Sequence, residues 1–311
     1  MTTLFARISI LLAACLSFSA AAEDKQPAAG AADPMQAEYD AALLEANQNS
    51  AKGPAEVPLI DQATLKLPSG YVYFPGKQAG RFLRAMGNRV TEDPLGMVVG
   101  GQGNQGHWFA VMQYDPAGYV KDDDAKEWNA QELLDSIRAG TAASNDERRA
   151  KGIPETEIIG WIEAPAYDSA QHRLVWSIAS KGKGEPDNTE RTVNYNTYAL
   201  GREGYISLNL VTGASTIESE KRHAKELLAA LNFNAGKSYA DFNSSTDKVA
   251  EYGLAALVGG VVAKKLGFFA MLAVFLAKFA KVIGIGALVG GGGLWTYFKN
   301  RKASRSADSA T

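Results

Sequence analysis

The stretch from Gly253 to Phe298 constrains the topology of this chain more than any other feature of the sequence. It reads GLAALVGGVVAKKLGFFAMLAVFLAKFAKVIGIGALVGGGGLWTYF and is followed at once by a basic tail. A membrane-spanning helix needs about 20 mostly apolar residues, and a Lys at its centre costs about 2.5–3.5 kcal/mol. Lys264 and Lys265 would be central in an early span. The least costly single span therefore runs from about Val282 to Phe298.

This predicted span has the features of a helix that anchors a protein in a membrane. Trp295 and Tyr297 would lie in the aromatic belt, and Gly286 and Gly290 form a small-residue motif through which two copies could pack. Residues 244–298 are thus predicted to form an amphipathic helix followed by the transmembrane segment. The basic tail, residues 299–311, is expected in the cytoplasm because positive charge is retained on that side. A hairpin of two spans is the alternative.

The first 22 residues have the form of a secretory signal peptide. Arg7 precedes an apolar run that ends in three alanines, and cleavage after Ala22 would leave Glu23 as the mature N-terminus. The alternative is lipidation of Cys15, because the residues before it resemble a lipobox. Either interpretation predicts that the body of the protein is exported.

Composition excludes several classes of function. The net charge is −2, which gives no indication of nucleic-acid binding. Cys15 is the only cysteine and lies in the leader, so the body has no Cys-ligated zinc, no iron–sulfur cluster and no Cys nucleophile. No metal and no cofactor is predicted from the remaining residues.

Between leader and anchor, the sequence predicts a flexible acidic linker (23–56) and an exported domain (57–243). The linker is rich in Ala, Pro, Gln and acidic residues, although part of it could form a short helix. The domain contains alternating segments typical of half-buried strands. Hairpins are predicted at 63–74, 157–180 and 192–211, a helix at 78–86, and strands at 95–99 and 108–114. These patterns predict an α+β fold: an antiparallel sheet covered by helices, with a C-terminal transmembrane anchor.

Two capped helices are predicted to cover the sheet. The first is capped by Asn129 and ends at Gly140, before a separate exposed helical segment at 144–151. The second begins with a capping box at Ser215, and its apolar residues fall on one face. Residues 232–243 follow it as a predicted linker.

The weak site candidates are His107 and the run Asp122, Asp123 and Asp124. His107 ends a glycine-rich loop (100–107) whose G-x-G-x-x-G pattern leads into a strand, which favours a hairpin loop over a dinucleotide site. The aspartates lack the alternate spacing of a calcium loop, which favours a solvated turn before a helix.

The other two histidines are predicted to lie on the surface. His172 follows a hairpin turn, and His223 lies on the charged side of a helix, in EKRHAK. No two histidines have metal-binding spacing, and the sequence contains no zinc-protease, nucleophile-elbow or phosphate-loop motif.

Several segments together resemble one protein family. They are DDDA, GWIEAP, NYNTYALGREGY and TDKVAEYGLAALVGGVVAKKLG, and the resemblance covers about residues 57–298. The family consists of uncharacterised, membrane-anchored bacterial proteins with a domain of unknown function (number 2167). The resemblance implies an exported domain with a C-terminal anchor, and it carries over no catalytic residue.

The sequence therefore predicts a membrane-anchored protein of the bacterial cell envelope. A single-pass anchor in the inner membrane would hold the domain in the periplasm. A non-enzymatic binding or interaction module is favoured, because no nucleophile–base pair or metal constellation can be read. The expected partners are the lipid bilayer, an envelope protein and a second copy of the glycine-rich span, and nucleic acid is not expected. The alternative is an envelope enzyme that uses His107 with nearby carboxylates.

Overall fold

A computed structural model describes residues 34–259 of this chain, apart from 89, 102–107, 127 and 151. The chain divides into two compact units, Met1–Ala263 and Lys264–Thr311, and all described residues belong to the first. The helices are α1 (Pro34–Gln48), α2 (Gly76–Ala85), α3 (Ala130–Ala150) and α4 (Ile217–Ala230). The strands are β1 (Ala51–Lys52), β2 (Ala55–Leu59), β3 (Ala63–Leu67), β4 (Tyr71–Pro75), β5 (Gly96–Gly100), β6 (Phe109–Asp115), β7 (Thr156–Asp168), β8 (Arg173–Gly182), β9 (Thr192–Leu200), β10 (Tyr205–Gly213) and β11 (Leu231–Phe233).

Eight of these strands form one antiparallel sheet in the order β1-β4-β5-β6-β10-β9-β8-β7. β7 with β8 and β9 with β10 are hairpins, as the alternation of apolar and polar residues predicts. Successive side chains of a strand point to opposite faces, so each strand contributes to two separate layers of packing. The predicted antiparallel sheet covered by helices is confirmed, and so are the predicted helix α2 and strands β5 and β6.

One face of this sheet is closed by α4 and by a small antiparallel sheet of β11, β3 and β2. α4 packs on β9 and β10. Its buried apolar residues include Ile217, Ala224 and Leu227, which lie on one stripe because their spacing of seven and three follows the helical repeat. They join a core with Leu65 of β3 and Leu208 of β10.

The opposite face of the large sheet is covered in two places. α1 and α2 pack over the side formed by β4, β5 and β6, where Phe74 and Met97 are buried. α3 packs against β7, and its Leu134 and Ile137 join a core with Trp176 of β8. The two helical layers belong to separate apolar clusters.

The predicted flexible linker is wrong from Pro34 onward, because α1 is a packed helix. Its Ala42 and Ala46 are fully buried, and the ring of Tyr39 lies 5.2 Å from that of Phe82 in α2. Alanines carry little hydrophobic signal in the sequence, but they let two helices approach closely. The folded part thus reaches beyond the predicted limits of 57 and 243.

The predicted hairpin at 63–74 is also wrong. β3 pairs with β2 and β11 in the small sheet, whereas β4 pairs with β1 and β5 in the large one. The turn at Pro68 and Gly70 therefore carries the chain from one sheet to the other. Gly70 has φ 83°, a conformation that glycine adopts without strain.

The first covering helix is one element rather than two. Its cap is confirmed, since the Asn129 side-chain oxygen accepts a hydrogen bond from the Gln131 N–H at 2.8 Å. The helix continues through Gly140 to Ala150. Asn145, in its second half, donates to the Thr156 carbonyl at 2.8 Å and accepts from the Thr156 N–H at 2.9 Å. These bonds to the start of β7 hold the second half of the helix in place. Gly140 alone is therefore not enough to end the helix.

The second covering helix has no capping box at Ser215. Its N-cap is Thr216, without a side-chain cap, and both the Ser215 N–H and hydroxyl bind Glu190 at 2.9 Å. The predicted linker at 232–243 is also ordered: it contains most of β11 and a 3₁₀ turn at Tyr239–Asp241.

The chain then reaches a helix at 254–259, where the description ends. Among the described residues, no helix is both long and apolar enough to span a bilayer. The predicted signal peptide with its Ala22 cleavage site lies outside the described residues. The same is true of the predicted anchor residues, which are Val282, Gly286, Gly290, Trp295 and Tyr297.

Candidate functional site

The site residues that the sequence singled out fall in different places. His107 lies outside the described residues. Asp122 precedes a 3₁₀ turn at Asp123–Lys126, and its neighbours point to different partners. Asp123 is exposed, and in the described part of the chain it makes no hydrogen bond or ion pair. The three aspartates therefore do not share one site, and the predicted pairing of His107 with them lies outside the described residues.

Asp122 instead forms a cluster with two residues from the hairpin of β7 and β8. The Tyr167 hydroxyl donates a hydrogen bond to Asp122 Oδ2 at 2.8 Å and lies 3.1 Å from His172 Nδ1. His172 Nδ1 is itself 3.7 Å from Asp122 Oδ2. The Asp122 and His172 side chains are 28% and 30% exposed, so solvent reaches both. These three residues are called the outer cluster below.

The protonation of Tyr167 determines the direction of the hydrogen bonds in the outer cluster. Burial, together with its hydrogen bond to Asp122, raises the pKa of Tyr167 far above its usual value. The phenol is therefore neutral at physiological pH, and its one proton is directed at Asp122. Its oxygen can then accept from His172 Nδ1–H, which leaves the His172 Nε2 lone pair pointing away from the hydroxyl. Among the described residues nothing is hydrogen-bonded to Nε2.

Four rings stack in a column that begins at His172. The His172 ring lies 4.1 Å from Tyr239, Tyr239 lies 4.3 Å from Tyr119, and Tyr119 lies 3.8 Å from Phe242. The rings are tilted by 16–29° from one pair to the next. Tyr239 is buried and donates to the Val120 carbonyl at 2.8 Å, whereas the others are half-buried. This set is called the aromatic column.

The backbone of His172 is held in a rare conformation. Its φ is 53°, in the left-handed region that non-glycine residues seldom occupy. Asp168 stabilises the preceding turn, because its Oδ1 accepts from the Ala170 and Gln171 N–H groups at 2.9 and 3.1 Å. The His172 carbonyl then accepts from the Leu200 N–H at 3.0 Å. These contacts fix the position of the backbone, and His172 is half-buried where the sequence predicted an exposed residue.

Asp124 serves a different purpose from Asp122. Its two carboxylate oxygens each accept a hydrogen bond at 3.0 Å, one from the Leu254 N–H and one from the Ala255 N–H. It thus caps the helix at 254–259, and the positive end of the helix dipole stabilises its negative charge. Gly253 permits this approach, since a Cβ there would lie 2.4 Å from Asp124 Oδ2.

A second histidine lies inside the protein, in what is called the inner cluster below. His223 of α4 is 5% exposed, and its ring stacks on Trp108 with centroids 4.7 Å apart. The Tyr71 hydroxyl lies 2.8 Å from His223 Nδ1 and donates to Glu226 Oε2 at 2.5 Å. Burial, with a smaller effect of Arg222, lowers the pKa of His223. The prediction of a solvated His223 is wrong.

One signal in the sequence places His223 at the edge of the buried stripe. It lies four residues before Leu227 and next to Ala224, both of which are buried. The charged neighbours Lys221, Arg222 and Lys225 hide that spacing. His172 had no comparable signal, because its partners Asp122 and Tyr239 are far away in the sequence.

The chemistry of the outer cluster is that of a polar contact site beside aromatic rings. It presents a carboxylate, an imidazole lone pair and a half-buried ring column. Within the described ranges, no group of three or more His, Cys, Asp or Glu residues could hold a metal ion. The inner cluster fills a core, since its histidine, tyrosine and tryptophan are nearly fully buried.

Fold and site together define an α+β domain with one large antiparallel sheet and a histidine–tyrosine–carboxylate cluster at one end. The chain belongs to the family described as protein of unknown function DUF2167, whose model matches residues 51–292. The resemblance noted from the sequence is thereby confirmed as to family.

Comparison with solved structures gives weak similarities. A solution structure of cyanobacterial PsbP from Synechocystis sp. PCC 6803 is similar with a TM-score of 0.34 and 8% identity, over 60% of this chain and 91% of that one. A point mutant of the protein Mog1 has a TM-score of 0.30 and 13% identity, over 57% of this chain and 94% of that one. Similarity at this level carries no argument about function. No curated protein matches the sequence.

Proposed function

We propose that this protein is a membrane-anchored binding module of the bacterial cell envelope. A cleaved or lipidated leader exports it, and one span near Val282–Phe298 holds it in the inner membrane. The domain then faces the periplasm, and the tail at 299–311 lies in the cytoplasm. The apolar composition of 253–298 and the positive charges after it support this topology.

One observation carries the binding role. The outer cluster is half-exposed and presents hydrogen-bond acceptors beside aromatic rings. It is also linked through the chain to the start of the helix at 254, because Asp124, two residues after Asp122, accepts from the Leu254 N–H. A site of this kind suits recognition of a partner or ligand.

A pair of reporter fusions tests the topology. A reporter active only in the cytoplasm and one active only in the periplasm are each joined after Thr311 of the full chain. The single-span arrangement predicts activity of the cytoplasmic reporter alone. Activity of the periplasmic reporter would contradict the single-span arrangement and support the two-span hairpin.

Complementation of a null-strain phenotype tests the site. Asp122→Ala, which removes the carboxylate from the outer cluster, is expected to lose function. Asp123→Ala, one residue away, removes a carboxylate without a partner among the described residues and is expected to retain function. If both variants complement fully, the outer cluster is not the binding site.

A second candidate function is an envelope enzyme in which His172 replaces His107 as the proton-transferring residue. The observation in its favour is the Nε2 lone pair of His172, opposite the Nδ1 atom that faces Tyr167. His172→Asn tests the enzyme. Asparagine tolerates left-handed backbone, and its amide N–H can still donate to Tyr167, but it cannot transfer a proton. The enzyme loses function in this variant, and full complementation by it would contradict proton transfer by His172.

A further inference from the structure

The three consecutive aspartates divide their bonds between two regions. Asp122 accepts from Tyr167 in the outer cluster at 2.8 Å, and Asp124 accepts from the Leu254 and Ala255 N–H groups at 3.0 Å. Asp123, between them, is exposed. The turn at 122–124 is therefore bonded on one side to the outer cluster and on the other to the helix at 254–259.

This turn is short and closed on itself. The Ala125 N–H donates to the Asp122 carbonyl at 3.2 Å, at the start of the 3₁₀ turn. Two residues in a closed turn have few ways to absorb a displacement, because each peptide unit is planar and only two soft dihedrals per residue remain. A shift of the Asp122 carboxylate that also moves its backbone is therefore passed on to Asp124.

The aromatic column provides a second connection to the same segment. The Tyr119 N–H donates to the Lys248 carbonyl at 2.8 Å, and the Tyr119 carbonyl accepts from the Ala250 N–H at 2.8 Å. Tyr119 is the third ring of the column that starts at His172. The residues just before the helix at 254 are thus attached to the outer cluster through both a carboxylate turn and a stack of rings.

The helix at 254–259 depends on these connections at its first turn. Its Leu254 and Val258 are fully buried, and the Ser136 hydroxyl of α3 donates to the Gly259 carbonyl at 2.9 Å. Those contacts hold its side and the last described residue. At its first turn the Ala256 N–H donates to the Gly253 carbonyl at 3.3 Å, and Asp124 accepts from the Leu254 and Ala255 N–H groups.

We infer that the turn at 122–124 couples occupancy of the outer cluster to the first turn of the helix at 254. The inference rests on the proposed function, because a ligand at the outer cluster is the event that the turn transmits. A ligand that draws Asp122 away from Tyr167 loosens the Asp124 cap, and a ligand that holds Asp122 tightens it. The outer cluster and the start of the helix at 254 both act on the turn at 122–124. Their coupling is reciprocal, so a change at the helix start also changes the affinity of the outer cluster for its ligand.

Amide hydrogen exchange of the full chain in phospholipid nanodiscs tests the coupling without knowledge of the ligand. Tyr167→Phe removes the hydrogen bond to Asp122 but keeps the ring in the apolar cluster that contains Leu254, and it removes no hydrogen bond to Leu254 or Ala255. It is expected to speed exchange at those two amides by about fivefold or more, the lower end of common coupling strengths. Asp122→Asn is expected to act in the same direction, and Asp124→Ala sets the full effect of losing the cap.

Two matched controls make the result specific. Tyr73→Phe removes a buried tyrosine hydroxyl that donates to the Leu95 carbonyl at 2.6 Å, remote from the turn in the fold. Asp123→Asn removes one charge from the same run without breaking a bond seen in the described residues. Both should leave exchange at Leu254 and Ala255 unchanged. Rates at β9 amides report any general loss of stability.

The coupling is overturned if Tyr167→Phe and Asp122→Asn leave Leu254 and Ala255 as slow as the controls do, while Asp124→Ala speeds them. This outcome leaves the proposed function intact, because the reporter fusions and the complementation by Asp122→Ala test anchoring and binding independently. Conversely, if hydrogen exchange shows the coupling while Asp122→Ala still complements the null strain, that result contradicts the binding site but supports the coupling through the turn at 122–124.

Discussion

The outer and inner clusters contain the same arrangement of groups in two different environments. In each, a tyrosine hydroxyl donates to a carboxylate and lies within 3.1 Å of a histidine Nδ1, and the histidine stacks on another ring. His172 is 30% exposed, whereas His223 is 5% exposed. The local chemistry is thus nearly equal. Burial of the histidine separates the two, since the carboxylate of Glu226 in the inner cluster is exposed.

Burial changes what the shared arrangement is able to do. The inner cluster lies between α4 and the large sheet, so its groups bond to one another and stabilise a core. The outer cluster lies where the β7–β8 turn, residues 119–122 and the segment at 239–250 meet, so its imidazole and carboxylate reach solvent. The same three groups serve packing in one place and, in the proposed function, recognition in the other.

The largest expected difference in unfolding free energy comes from removing one ring of the inner cluster and one ring of the aromatic column. Trp108→Ala is expected to lower the free energy of unfolding by about 3–5 kcal/mol, because it opens a cavity in the core. Phe242→Ala, at the half-buried end of the aromatic column, is expected to cost about 1 kcal/mol, because water can occupy the space. Urea unfolding of the full chain in detergent micelles measures both. Equal losses would show that the outer column is as much a core as the inner cluster.

A smaller difference is expected when the two hydroxyl groups are removed. Tyr71→Phe leaves His223 Nδ1 buried without its partner, which should cost about 1–3 kcal/mol of unfolding free energy. Tyr167→Phe leaves groups that solvent reaches, so its cost should be about 1 kcal/mol or less. The same unfolding measurement compares them at neutral pH. A larger loss for Tyr167→Phe would reverse the assignment of structural and functional roles.

The smallest expected effect is a pH dependence from the inner cluster. Burial first, and Arg222 second, lower the pKa of His223 below its ordinary value of 6.5, while Glu226 and Glu220 act in the opposite direction. Below pH 6.5 the unfolded chain therefore binds a proton more readily than the folded chain. The free energy of unfolding falls as the pH falls through this range. The stability that comes from keeping His223 neutral is fully present only above it.

His223→Gln removes the titrating group and keeps a polar side chain of similar reach. Urea midpoints of the parent and the variant are compared at about pH 7.5 and about pH 5. The difference between the two pH values should be smaller in the variant. His172→Asn is the matched variant of the outer cluster. An unchanged pH dependence in His223→Gln would assign the acid sensitivity to other groups.

Much of the large sheet follows from local patterns. The hairpins of β7 with β8 and β9 with β10 show alternating apolar and polar residues, and such alternation stabilises a strand with one buried face wherever the chain goes. The Asn129 cap is local as well, since it satisfies an N–H two residues away. Features whose partners are a few residues apart can be predicted, because the competing conformations are few.

Other predictions failed where distant partners outweighed local preference. Gly140 favours a helix end, but the bonds between Asn145 and Thr156 keep the helix going. Pro68 and Gly70 favour a hairpin turn, but β3 and β4 find better partners in two different sheets. Helix propensity and turn preference amount to about 1 kcal/mol, and several buried contacts exceed that.

The candidate site shows the same division. The sequence singled out Asp122, Asp123 and Asp124 as a group, and only tertiary contacts distinguish a site carboxylate, an exposed one and a helix cap. His172 and His223 both lie in polar stretches of the sequence, and only the spacing of His223 to Ala224 and Leu227 sets it apart. Their neighbours in space, Asp122 and Tyr239 for one and Tyr71 and Trp108 for the other, come from remote parts of the chain.

The sequence by itself determined the antiparallel α+β class and the expectation of a leader and an anchor, because these depend on composition and on short-range periodicity. The family followed from the resemblance of several quoted segments, which the family model confirms. Tertiary structure alone decided which histidine is buried, which aspartate caps the helix at 254 and where the two sheets separate. The physical reason is that burial and hydrogen bonding depend on the groups that long-range folding brings together. No local pattern specifies those groups.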